Sequence, residues 1–392
     1  MADDTPFYYT KVECPICKTV NEYETVRVGA YIERGRDTDF CPLDIQWRFP
    51  RYQAYNPLVF FVATCSNCCY SREFGNSFRE WKKDNTFRMY RLKQVKERHL
   101  DQLAQADSVV KKLGLAIDFS HYPNESAIVK LHLAIFDEQL CDHQSKLDLG
   151  RFYLRIAWVF RTLGSGEDPS RSYLRGLMTE LNTQYEEAVS AVDGCIDRIE
   201  TFSGQVETHF KEADVPAETR STMMPFREQF ESALAVVAET CRQEKQQIDA
   251  VKDIIDEYRS ATLGGDGGGN AFGSSPSFTD FLTALGKRWS GIVASEQEAL
   301  AKAIQYYKEA FTEGRDISPG NQQIQASYLI AELSRRIGDY DGAREYFNST
   351  IRAGQDFIYR HRTDQSRTAL ARKILELAIE QGRSNMDAMK VS

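Results

Sequence analysis

The sequence predicts a mainly α protein with a small N-terminal β-rich zinc ribbon, a tetratricopeptide-like helical repeat body and an inserted antiparallel coiled-coil hairpin. Three observations carry this. Two Cys-x-x-Cys pairs lie before residue 70, amphipathic patterns almost free of proline fill the remainder, and one of these is an unbroken heptad. A chain of 392 residues is long enough for about two to three domains. With 42% hydrophobic and 27% charged residues it is not disordered as a whole.

Residues 1–75 are the expected ribbon head. Short β-type runs, Val26-Arg27-Val28 and Leu58-Val59-Phe60-Phe61-Val62-Ala63, are set between turn residues. Cys14-Pro15-Ile16-Cys17 and Cys65-Ser66-Asn67-Cys68 are knuckle sequences, and two such turns place four thiolates tetrahedrally around Zn²⁺. The 47 residues between the pairs exceed the roughly 15–20 of a compact ribbon, so further β structure must be inserted there. Cys41 and Cys69 are spare thiols that compete as ligands. A closed four-thiolate site leaves no position for a substrate, so the zinc is expected to be structural.

Residues 76–171 are expected to hold a basic amphipathic helix at 76–98 and the first half of the repeat body. Arg79, Lys82, Lys83, Arg88, Arg91, Lys93, Lys96 and Arg98 interleave with Phe78, Trp81, Phe87, Tyr90 and Leu92, with a break near Asp84-Asn85. Downstream, Tyr153, Ile156, Ala157, Phe160 and Gly164 keep the spacing of a repeat's first helix.

Residues 172–262 are the expected arm. Leu174, Met178, Leu181, Tyr185, Ala188, Val192, Cys195, Ile199, Phe202 and Val206 recur in alternating steps of four and three. A second stripe, Phe226, Phe230, Leu234, Val237, Cys241, Ile248, Val251, Ile255 and Tyr258, comes after a connection short enough to force antiparallel pairing. At ~1.5 Å per residue, arms of about 40 residues reach roughly 60 Å, so a projecting arm used for assembly is expected. Residues 263–277 form a Gly/Ser-rich linker without the spacing of a phosphate or dinucleotide loop.

Residues 278–392 are expected to be the tetratricopeptide-like C-terminal half. Ala303, Tyr307 and Ala310 suit a second helix, and Ile330, Ala331, the turn Gly338-Asp339-Tyr340, Ala343 and Phe347 suit a full helix-turn-helix unit. Tyr307, Tyr328, Arg335, Arg336 and Tyr346 are the candidate partner-binding residues on its concave face.

The net charge of -8 argues against a general nucleic-acid binder, although residues 1–100 carry 16 Lys/Arg against 13 Asp/Glu. The acidic start, Met1-Ala2-Asp3-Asp4, has no apolar run behind it, and the longest apolar stretch, Asn56 to Cys65, is about half a membrane span. A cytoplasmic protein without a membrane span is expected. The six histidines form no metal-spaced cluster, Cys141 and His143 stand alone, and no Gly-x-Ser-x-Gly elbow or acid–base pair can be isolated.

Lys11-Val12-Glu13-Cys14-Pro15-Ile16-Cys17, Arg36-Asp37-Thr38-Asp39-Phe40-Cys41-Pro42, Asn56-Pro57-Leu58, Cys65-Ser66-Asn67-Cys68-Cys69-Tyr70 and the stretches at 154–164 and 330–347 resemble an uncharacterised bacterial family combining a long-insert zinc ribbon with tetratricopeptide-like helices. The resemblance covers about residues 7–165 and 295–355. It implies glycine after the last cysteine, where Cys69 stands here, and no long heptad segment, so that 172–295 reads as an insertion. It implies no reaction. The function expected is a non-enzymatic zinc-binding adaptor or assembly scaffold with protein partners, self-assembling through the arm. The alternative is a nucleic-acid-associated regulator using the ribbon and the helix at 76–98.

Overall fold

In this computed structural model the described residues are 5–391 without 50–51, 54, 120–121, 165–168, 264–271, 273–274 and 276; the side chains of 76, 169–179, 182, 254–263 and 391 are also outside the description. The chain forms two compact units, residues 1–165 with 270–392, and residues 166–269.

The first unit begins with three antiparallel strand pairs: β1 (Phe7–Glu13) with β2 (Val20–Val26), β3 (Tyr31–Arg36) with β4 (Pro42–Trp47), and β5 (Val62–Thr64) with β6 (Ser71–Glu73). Two-stranded ribbons are too thin to stand alone, so each is covered by neighbouring segments. Phe7 closes on Trp47, Tyr52 and Phe60, with ring centroids 6.2, 5.0 and 4.7 Å away. The β3–β4 hairpin and a 3₁₀ turn, Pro57–Phe60, occupy the long interval between the cysteine pairs. Asn56 caps that turn by accepting the Leu58 N–H.

The segment expected as a basic helix over 76–98, with a break near Asp84-Asn85, is interrupted at that point. Phe74–Phe78 forms a wide turn in which the Arg79 N–H reaches the Phe74 carbonyl, and a second wide turn, Phe87–Arg91, runs into α1 (Leu92–Ala104). Asp84 causes the break, because its carboxylate accepts the Phe87 N–H at 2.9 Å and restarts the helix there.

Next come α2 (Val109–Leu115), α3 (Pro123–Gln139) and α4 (Lys146–Gly164). Pro123 starts α3 at a position where its missing N–H costs nothing, and the run Ala127–Phe136 is buried on every side. After α7 (Phe278–Gly286), α8 (Glu296–Glu313) packs directly on α4. Gly150 permits that approach: a Cβ there would sit 3.2 Å from Tyr307 Cγ. Then α9 (Asn321–Arg336), α10 (Tyr340–Arg360) and α11 (Gln365–Val391) pack on one another through Ala331, Ala343, Ala371 and Ala378 around Phe347. Gly338, at φ +85°, turns the chain, and Asp339 caps α10 by accepting the Gly342 N–H.

The second unit is α5 (Pro169–Glu212) and α6 (Ala217–Leu263). Tyr185 bonds Asp249, Lys245 pairs with Asp193, Arg242 pairs with Glu200, and Phe202 meets Phe230. Partners rise on α5 as they fall on α6, so the helices run antiparallel. Leu174, Met178, Ile255 and Tyr258 of the expected seam lie outside the described side chains, as does most of the expected linker. Phe272, within that linker, is buried against Tyr122 and Phe281 of the first unit.

Candidate metal centre

The β1–β2 hairpin carries Cys14 and Cys17 in its turn, and the β5–β6 hairpin carries Cys65 and Cys68. The two turns are built alike. The Lys18 N–H bonds the Cys14 carbonyl as the Cys69 N–H bonds the Cys65 carbonyl, while the Cys14 and Cys65 N–H groups bond the carbonyls of Thr19 and Tyr70. Lys18 and Cys69 both adopt positive φ, 66° and 62°. That left-handed geometry is the physical reason a glycine suits the position after the second cysteine of a knuckle.

Four sulfurs result, all within 4.8 Å of one another. Cys14 and Cys68 are 3.7 Å apart, and Cys17 and Cys65 are 3.5 Å apart. Tetrahedral ligation with metal–sulfur bonds of about 2.3 Å needs sulfur separations of about 3.8 Å, so the cage fits an ion such as zinc. Four crowded thiols cannot all ionise without a cation among them. The Cys65 thiol is held low by the thiols of Cys14 and Cys68. Cys14 is pushed up to about 12 by its contact with Cys65. Asn21 ties the turns together, donating to the Cys65 sulfur at 3.4 Å and accepting from the Ser66 N–H at 2.9 Å.

Neither spare cysteine joins the cage. The Cys69 side chain points at Gly114, where a Cβ would fall 2.2 Å from its sulfur. Cys41 is buried beside the Pro42 carbonyl, and burial pushes its thiol up to about 12. Cys141 lies against the Arg91 guanidinium.

The basic–aromatic segment forms the wall of this centre. Phe78, Trp81 and Phe87 are buried with the cysteines, and the Trp81 indole donates to the Glu13 carbonyl at 2.8 Å. Its cations are largely neutralised: Arg79 and Lys83 pair with Glu80, Lys82 with Glu13, Arg91 with Glu138 and Arg98 with Asp142. His99, unremarkable in the sequence, braces the second knuckle, with Nε2 on the Cys68 carbonyl at 2.8 Å and Nδ1 on Asp137 at 2.6 Å. Burial pulls its pKa down, but Asp137 and that carbonyl together push it up to about 9.

The β3–β4 turn holds a second constellation that the sequence did not reveal. Asp39 is fully buried and accepts from Arg161 Nη2 at 2.8 Å, the Trp158 indole at 3.2 Å and the Cys41 N–H at 3.2 Å. Asp37 takes Arg161 at 3.1 Å and Arg336 at 2.7 Å. Thr38 donates to Glu332 and accepts from Arg336, and its carbonyl receives the Tyr328 hydroxyl at 2.7 Å. Three of the five residues expected on a partner-binding face are thus engaged by the chain itself: Tyr328 and Arg336 clasp this turn, and Arg335 pairs with Glu332. Tyr307 is buried against Gly150, and Tyr346 is half-buried against Phe311. Burial is cheaper for these large rings than exposure, and the acidic turn supplies the arginines with partners.

No helix among the described residues is long and apolar enough to cross a membrane. Neither a curated protein nor a solved structure matches the chain. A family model described as "Uncharacterized protein conserved in bacteria (DUF2225)" matches residues 7–258 and 286–372. That span includes the knuckles, the Asp37–Asp39 turn and most of the hairpin, which corrects the expectation that relatives lack the heptad helices. The chain belongs to this conserved bacterial family.

Proposed function

We propose that the protein is a non-enzymatic zinc-binding adaptor or assembly scaffold, acting through protein–protein contacts of a tetratricopeptide-like body and a coiled-coil hairpin. The Zn²⁺ is structural, since four sulfurs fill its coordination shell. The hairpin carries the reading. Among the described side chains of α5 and α6 only Ala238 is buried, while Met223, Met224, Phe226, Phe230, Val236 and Val237 are exposed. Helices of 44 and 47 residues that leave so much apolar surface in water gain by covering it. The occupant fitted to that surface is the hairpin of a second copy, which offers the same stripe and closes a four-helix bundle. Nucleic acid is the weaker alternative, because the ion pairs of segment 76–98 already consume most of its positive charge.

Sedimentation equilibrium tests this with the full chain, a Phe226→Glu/Val236→Glu variant, and a chain in which residues 172–262 are replaced by a short loop. The full chain should be oligomeric and both variants monomeric. Equal association states for all three would overturn the assembly role.

A further inference from the structure

A groove of about 890 Å³ runs through the first unit between the β3–β4 turn, α4, α9 and α11, within the size range of ligand sites, about 300–1,000 Å³. On α11, Leu370, Lys373, Ile374 and Leu377 line it at i, i+3, i+4 and i+7, and α9 adds Ala326 and Leu329. One stripe of a helix over two turns gives about 10 Å of wall, apolar here apart from Lys373. Leu370 is 42% exposed there.

Arg155 stands in the opposite wall. Its guanidinium rests on the Phe61 ring at 4.2 Å and donates from Nη1 to the Arg151 carbonyl at 3.1 Å. Its Nε is buried without a hydrogen-bond partner, and no carboxylate among the described residues pairs with it. The neighbouring arginines are all paired: Arg151 with Glu73 and Asp148, Arg161 with Asp37, Asp39 and Glu296, and Arg36 with Glu33. A largely buried cation left open among satisfied ones is costly unless an anion completes it, and the guanidinium fork matches a carboxylate. Beside it a second cavity of about 350 Å³, lined by Tyr31, Ile45, Leu58 and Phe60, shares Arg155 and Trp158 with the groove. One position therefore offers a cation, an apolar pocket and an apolar trough, with Lys373 exposed at the rim.

We propose that this groove binds an acidic, apolar-rich peptide segment of a partner protein, one of its carboxylates seated on Arg155 and a flanking apolar side chain in the adjoining pocket. A small anion needs the cation alone; the two-turn apolar stripe favours a peptide. The inference rests on the body being a partner-binding surface, while the hairpin's role in assembly stands or falls separately, by mass.

The test uses the full chain and two fluorescein-labelled decapeptides, one alternating Glu and Leu and one alternating Gln and Leu, monitored by anisotropy, with glutarate as a competitor. The acidic peptide should bind with saturation. The Gln peptide and Arg155→Gln should each weaken binding at least tenfold, and Lys373→Glu, at the exposed rim, several-fold. Arg155→Gln should leave the urea midpoint unchanged or raised, which loss of a merely structural arginine would lower. If that variant unfolds early, Lys373→Glu decides. Absence of saturation, or binding unchanged by both substitutions, overturns the site, and displacement of the peptide by low glutarate concentrations overturns the peptide in favour of a small-molecule anion.

Discussion

Replacing Asp39 should uncouple the ribbon head from the helical body. Its carboxylate is fully buried and receives two N–H groups of Arg161, at 2.8 and 3.2 Å, together with the Trp158 indole and the Cys41 N–H. Asp39→Ala leaves the Trp158 indole and the Cys41 N–H without this acceptor and Arg161 with only Asp37 and Glu296, and removing one partner of a buried ion pair costs about 3–5 kcal/mol. Asp39→Asn keeps the shape and removes the charge, while Arg161 retains Asp37 at 3.1 Å and Glu296 at 2.8 Å, so about 2 kcal/mol is expected. With a denaturant slope of about 3 kcal/mol/M, Asp39→Ala should lower the urea midpoint by about 1–1.7 M. Trp158 is the natural fluorescent reporter, since its indole touches the substituted carboxylate. Adding Arg161→Met closes a double-mutant cycle whose coupling should exceed about 1.5 kcal/mol. A cost under about 1 kcal/mol for Asp39→Ala, or additive single effects, would refute the view that this turn locks head to body.

Three further outcomes are expected. Elemental analysis should find one zinc per chain, lost with the head's stability in Cys65→Ser and kept in Cys41→Ser and Cys69→Ser, because only the four knuckle sulfurs converge. His132 is buried between the Ile128 carbonyl and the Val293 N–H, and burial lowers its pKa to about 3. The unfolded chain therefore takes up a proton below the ordinary value of 6.5 while the native one does not. Stability should fall from about pH 7 toward pH 3, by about 2 kcal/mol near pH 5, and His132→Gln should flatten that slope; parallel urea curves would exclude it. Cys195 and Cys241 interact across the hairpin, so mild copper-phenanthroline oxidation should crosslink them within one chain, as peptide mapping would show.

What was legible in the sequence is what local spacing dictates. A thiolate pair two residues apart forms the same turn wherever it occurs, and a heptad carries its own periodicity, so the knuckles and the paired helices could be read directly. The long connections could not. Asp39 meets Arg161 across 122 residues and Thr38 meets Tyr328 across 290, and no periodicity records such contacts. For that reason the sequence offers Tyr328 and Arg336 as partner-binding candidates without revealing that they also clasp the chain's own turn. The 76–98 segment was legible in part, since its interruption falls at the break expected near Asp84-Asn85. Its amphipathic period was real, but Asp84 offered the backbone a better bond than the helix did. Cys69 became decidable only once Gly114 was seen to leave room for its sulfur.

The hairpin is interposed between α4 and α8, yet those helices pack on each other as sequence neighbours would: Tyr153 stacks on Tyr306 at 5.6 Å, and Arg161 pairs with Glu296 at 2.8 Å. Closing an excursion of about 130 residues instead of one of about 15 costs only about 2 kcal/mol if the chain between is flexible. Here the cost is smaller still, because antiparallel pairing of α5 with α6 brings the ends of the excursion together before the body must close it. The excursion therefore costs the closure of the body little, and the exposed apolar stripe belongs to a compact unit of its own. A chain shortened across residues 172–262 should consequently keep its metal, its Asp39 lock and its thermal transition, so that any loss of assembly reports on the hairpin surface itself.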